Sequence, residues 1–283
     1  MRICRYNADK LGLIKGDQLI DVTSALDVIP KTRWPKSHGD EMINHLQAII
    51  PKIHANRKLG YVQGVKNVDL KSPIANPTKI IIAQGCCRDY RLDGWSEADE
   101  DLGKKAVAGE AHGIYLKATS SLVGAGSGIR LSHAQRQSDC VIGLALIIGK
   151  MAKKVVYRNA LDFLAGYSIG LNIKLRGVED RSLRNSLDTY AVLGPWLTTA
   201  EEIHDPDNLN IRLKINDRIR HESNTKDLIS DCRKVIELSS NFFTLFPGDI
   251  IMIPNSCDNS PLRANDLLTC EADIIGRMEV RVL

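Results

Sequence analysis

The sequence predicts an α+β protein with a β-dominated core, on three observations. Short apolar runs of strand length outnumber segments with helical spacing. Glycine, proline and Asn/Asp turn signals separate those runs. One stretch, Ser138 to Gly149 (SDCVIGLALIIG), is apolar almost throughout, as a strand buried on both faces must be. At 283 residues the chain is long enough to bury a large core.

The elements follow in order. Leu11–Ile14 and Gln18–Thr23 flank Lys15-Gly16-Asp17 and read as a hairpin. Residues 41–50 (EMINHLQAII) have helical spacing. Residues 69–77 carry two prolines, which block helix continuation and push their predecessors extended, so a linker is expected there. A domain boundary near residue 72 divides the chain into 1–72 and 73–283. Lys79–Gln84 and Gly113–Lys117 read as strands, and residues 93–105 as an exposed polar segment. Residues 158–167 are expected to form a short helix ended by Gly166. Leu209–Ile215 alternates apolar and polar, turns at Asn216-Asp217 and returns through Arg218–Arg220 as a hairpin with one wet face. Residues 227–239 place Leu228, Ile229, Cys232, Val235 and Ile236 on one helical face. Pro247-Gly248-Asp249 turns into the core strand Ile250–Ile253, and the C-terminus reads as a hairpin about Gly276.

Composition narrows the function. The net charge is +4, but Lys and Arg are dispersed among acids and aromatics are only 5%, so no basic stripe offers a nucleic-acid surface. No apolar run reaches ~18 residues, so no membrane span is expected. The first residues lack the apolar core of a signal peptide. Seven irregularly spaced cysteines without a C-x-x-C pair argue against a disulfide framework or a zinc site, and a reducing cytoplasm fits them.

Taken in order, eight segments resemble the fumarylacetoacetate hydrolase family. They are Leu19–Thr23, Gln84–Tyr90 (family G-L-N-Y-x-D-H), Tyr115-Leu116-Lys117 (F-x-K) and Leu122-Val123-Gly124. Gly166–Asn172 (G-Y-T-V-A-N-D), Asp188–Trp196 (D-T-F-x-P-L-G-P), Asn224–Ile229 (N-T-S-D-M-I) and Phe246–Ile251 (x-P-G-D-V-I) complete the series. The resemblance implies a small N-terminal domain, a larger mixed β-roll domain and a homodimer. It also implies chemistry on small keto or enol acids, with a divalent cation chelating the substrate.

The chain departs from the family at that cation. Two family glutamates, at i and i+2 of a strand and so on one face, fall at Val141 and Gly143. The third carboxylate falls at Asn172. The Lys of the family's K-S-F-D falls at Asn185, the G-T-P motif at Pro254-Asn255-Ser256, and the general-base His at Tyr90. Hard divalent cations need anionic oxygens, so neither metal nor other cofactor is expected.

By the resemblance, Lys117, Tyr90 and Asp93 are the catalytic candidates: Lys117 supplies charge, and Tyr90 with Asp93 moves protons. A tyrosine, with an ordinary pKa near ~10, suits proton donation better than water activation. Lys174, Asn172, Asn255, Arg88 and Gln84 are candidates for substrate binding. Lys174 follows Asn172 by two and shares its face, so its ammonium is a candidate for the vacated cation position; the alternative is a solvent-facing lysine. Three readings stand: a metal-independent lyase, isomerase, cyclase or C–C hydrolase; an inactive paralogue that binds a small acid or a protein; and an ordinary metal-dependent hydrolase with the family correspondence shifted, although the nearby carboxylates Asp139, Glu179 and Asp180 do not reproduce E-x-E.

Overall fold

The computed structural model describes residues 1–31, 37–84, 113–133, 135–255 and 260–283. It opens with the meander β1 (Arg2–Tyr6), β2 (Lys10–Lys15) and β3 (Gln18–Asp21). Gly16, at φ +60°, makes the tight turn between β2 and β3. Asp40 caps helix α1 (Glu41–Asn44), and α2 (Leu46–Asn56) follows. The one helix expected over 41–50 is therefore two, parted at His45, where ψ turns to 12°.

Strands β4 (Val62–Gly64) and β5 (Leu70–Lys71) come next. Within the expected linker, Leu70 and Lys71 pair with β1. Then come β6 (Ile80–Gln84), β7 (Gly113–Lys117), β8 (Leu122–Val123), β9 (Ser138–Ile148) and β10 (Leu164–Leu175). The helix expected over 158–167 is instead a 3-10 segment, Tyr157–Phe163, that runs straight into β10. Gly166 is no helix cap: β11 passes so close that a Cβ there would strike the Thr198 carbonyl.

Helix α3 (Arg181–Asn185), β11 (Ala191–Thr199), β12 (Asn210–Ile215) and β13 (Arg218–Asn224) follow. Helix α4 (Cys232–Phe242) starts five residues later than its periodicity predicts, because the Asp231 carboxylate accepts from the Lys234 N–H and fixes the cap. The chain ends with β14 (Ile250–Pro254), β15 (Ser260–Leu262), β16 (Leu267–Ala272) and β17 (Gly276–Arg281).

Among the described residues the strands form two sheets. The larger, of thirteen strands, runs β4-β3-β2-β1-β11-β10-β9-β14-β6-β7, with β5, β8 and β15 attached at β1, β11 and β9. The smaller is β13-β12-β16-β17. Strands from both sides of residue 72 thus share one sheet, joined where β1 pairs with β11.

Strand β9 lies inside this sheet, and all eleven of its residues are buried. Ile142, Leu144, Leu146 and Ile148 face the smaller sheet and α4, beside Leu213, Cys270 and Ile236. Ala145 and Ile147 face the other way, onto Ile49 and Ile53 of α2. Two buried faces explain the uninterrupted apolar run that the sequence displays. Among the described residues no helix is long and apolar enough to cross a membrane.

Candidate functional site

The odd-numbered face of β9 carries Asp139, Val141 and Gly143. Opposite them on β10 stand Lys174, Asn172 and Gly170, in register. Cross-strand partners point to one face, so these six positions form one patch. Three strands separate β7 from β10 along the sheet, yet Lys117 of β7 reaches this patch. Its Nζ donates to Asn172 Oδ1 (2.7 Å), Ile173 O (2.9 Å) and Tyr190 O (2.6 Å). The sheet is therefore rolled upon itself, and Lys117 is the bolt across the roll. The Ala118 N–H closes the same seam on Ser186 Oγ (2.9 Å).

Lys117 is only 3% exposed. Burial pushes its pKa well below the ordinary lysine value. Three oxygens in hydrogen-bond range act against that, because a neutral amine has only two hydrogens to give and would turn its lone pair on the third oxygen. The geometry is that of an ammonium, and none of these three acceptors is a carboxylate. The Tyr190 carbonyl is aimed by Thr189, a β-branched residue at φ +67° whose Oγ1 accepts from the Arg130 N–H.

Sequence reasoning named Tyr115 and Asn185 only as positions within family motifs and gave neither a role in the site. Asn172 Nδ2 donates to Tyr115 Oη (3.0 Å), and Tyr115 Oη donates to Asn185 Oδ1 (3.1 Å). Asn185 Nδ2 in turn donates to the Arg181 carbonyl (2.9 Å), while the Arg181 guanidinium lies 5.5 Å from the Tyr115 ring centre. Burial raises the Tyr115 pKa to about 12, so at neutral pH the hydroxyl keeps its proton. The available signal was the Tyr at a family Phe position and the Asn at a family Lys position.

The other expected residues are placed as follows. The charge beside Asn172 belongs to Lys117; Lys174 stands across from Asp139, and burial lowers its pKa. Asn255 is buried but spends its amide on Ser223 Oγ (2.7 Å), and its carbonyl accepts from the same hydroxyl. Gln84 ends β6, with its side chain outside the described residues. Arg88, Tyr90 and Asp93 lie wholly outside them.

The residues present do not fit the divalent cation that the resemblance implies. Val141 has no oxygen to offer. Gly143 is barred from carrying a side chain: a Cβ there would strike the Ile253 carbonyl and stand 2.8 Å from Pro254 Cα. Asn172 has its only acceptor engaged by an ammonium. The three nearby carboxylates are committed as well. Asp139 accepts from Gln137 and Arg176, Glu179 pairs with Arg136, and Asp180 caps α3. Among the described residues no three His, Cys, Asp or Glu side chains converge.

Comparison with known proteins gives consistent matches. The family model for the fumarylacetoacetate (FAA) hydrolase C-terminal domain matches residues 82–283. A maleylpyruvate hydrolase of Aquipseudomonas alcaligenes is 38% identical over 290 aligned positions, covering 100% of this chain and 99% of that one. A mitochondrial oxaloacetate tautomerase of Xenopus laevis is 30% identical, covering 74% of this chain and 67% of its own. Among solved structures, the maleylpyruvate hydrolase of Sphingobium sp. SYK-6 in complex with manganese(II) and pyruvate superposes with a TM-score of 0.82. It is 29% identical, with 100% and 99% of the two chains covered.

Proposed function

The chain belongs to the fumarylacetoacetate hydrolase family, and from that membership we propose that it acts on a small keto or enol acid without a divalent cation. The reaction class is lyase, isomerase, cyclase or C–C hydrolase. One observation carries the reading: the Lys117 ammonium is bonded to Asn172 at the position of a family metal ligand. It is a fixed positive charge that no contacting carboxylate cancels. An anionic substrate oxygen entering beside Asn172 gains that charge in a water-poor site, where electrostatic stabilisation of a developing enolate is strongest. Tyr90 and Asp93 are assigned the proton transfers in this reading. Lys174, Arg88 and Gln84 are assigned to substrate binding in the same reading. The homodimer that the family resemblance implies is part of the same reading, and sedimentation of the full chain checks it.

Thermal shift with pyruvate, oxalate and acylpyruvates in excess chelator tests the proposal. We expect stabilisation by at least one of these acids, lost in Lys117→Met. Stabilisation that requires Mg²⁺ or Mn²⁺ contradicts it. A second reading, a binding module without turnover, is favoured by the fact that all three donors of Lys117 are already engaged. Binding without conversion of any acylpyruvate selects that reading.

A further inference from the structure

A carboxylate presents the same face to a lysine whichever way it is turned. A carboxamide does not: one end accepts and the other donates. Where an Asn accepts from a buried ammonium, an acceptor for its NH₂ reinforces that orientation. At Asn172 that partner is Tyr115. Its hydroxyl accepts from Nδ2 at 3.0 Å, and its own hydrogen goes to Asn185 Oδ1 at 3.1 Å.

The chemistry at both ends fixes the direction of this chain. Lys117 can only donate, so Asn172 must show it Oδ1. The Arg181 carbonyl can only accept, so Asn185 must show it Nδ2. Between those ends Tyr115 has a single consistent orientation, accepting on one side and donating on the other. The three positions that depart from the family letters, 115, 172 and 185, are thus joined in one hydrogen-bonded chain.

We propose that Tyr115 is a positioning residue for the Lys117 ammonium, holding the Asn172 amide oxygen-first toward it with Asn185 as its anchor on α3. This deepens the reading given under Proposed function but makes its own claim, about the ligand-free protein. Without the Tyr115 hydroxyl the Asn172 NH₂ loses its acceptor, and the ammonium alone is left to hold the amide oxygen-first.

The test is nuclear magnetic resonance of the full chain labelled with ¹⁵N-lysine, correlating Nζ with its hydrogens. The Lys117 ammonium signal is assigned by its loss in Lys117→Met. Lys79, whose Nζ pairs with buried Asp249 at 2.7 Å, serves as an internal reference for folding. In the wild type we expect a Lys117 ammonium that exchanges its hydrogens slowly with water. In Tyr115→Phe the exchange should quicken by about five- to tenfold, the worth of one net hydrogen bond, with Lys79 unmoved. In Asn172→Asp combined with Tyr115→Phe the slow exchange should return, since a carboxylate has no orientation to lose. The proposal is overturned if Tyr115→Phe leaves Lys117 exchange unchanged, if the double variant exchanges as fast as the single one, or if the wild type yields no ammonium signal. Failure of keto-acid binding would strike the functional reading and leave these exchange rates as they are.

Discussion

At Gly143 the loss of a carboxylate is matched by a loss of room. A Cβ at this position runs into the Ile253 carbonyl, backbone that cannot swing aside as a side-chain tip would. Gly143→Ala should therefore destabilise the fold by about 1–3 kcal/mol, the usual cost of overpacking. Urea denaturation measures it, and an alanine variant as stable as the wild type would mean that β14 yields easily. The same residue scale decides what the sequence could disclose. The vacated positions Val141, Gly143 and Asn172, and the retained Lys117, were legible because each stands at a fixed offset in a local pattern. The partnership of Tyr115 with Asn185 was not, since it joins side chains 70 residues apart through the rolling of the sheet. The sequence singled out Lys174 by the strand alternation it shares with Asn172. That alternation describes one strand only, and the amine that arrives beside Asn172 comes from another.

Among the elements, those whose signal is local were read well: the β2–β3 and β12–β13 hairpins, the fully buried β9, and the β16–β17 return at Gly276. The segment 158–167 was misread because a glycine serves two purposes, helix termination and close strand approach, and only the neighbouring β11 distinguishes them. The passage from residue 72 into β6 is held by two buried carboxylates. Asp40 Oδ2 accepts from the N–H groups of Ala75 and Asn76. Asp249 Oδ1 accepts from the N–H groups of Thr78 and Lys79, and its Oδ2 pairs with Lys79 Nζ. Replacing the fully buried Asp249 with Asn leaves Lys79 partly unpaired and should cost about 3–5 kcal/mol. Chemical denaturation followed by tryptophan fluorescence checks this. A loss below about 1 kcal/mol, the size of an exposed ion pair, would show that the clamp is dispensable.

On the scale of the whole molecule, the roll converts linear distance into contact. Lys117 and Asn172 meet across it, with Tyr190 of the loop before β11 as the third wall. The family scaffold, its hairpins and its Pro-Gly-Asp turn, are kept, while the positions that would hold a cation are filled by an apolar side chain, a closed backbone and an amide already in use. The account stands on the proposal that a lysine ammonium takes the place of the metal ion. Electron paramagnetic resonance of Mn²⁺ titrated into the full chain with oxalate present tests it most directly. The account predicts that, at one equivalent of metal per chain, the six-line Mn²⁺ spectrum is the same as that of Mn²⁺ and oxalate without protein. Loss of that signal in a one-to-one ratio, reversed by excess Mg²⁺, would contradict it.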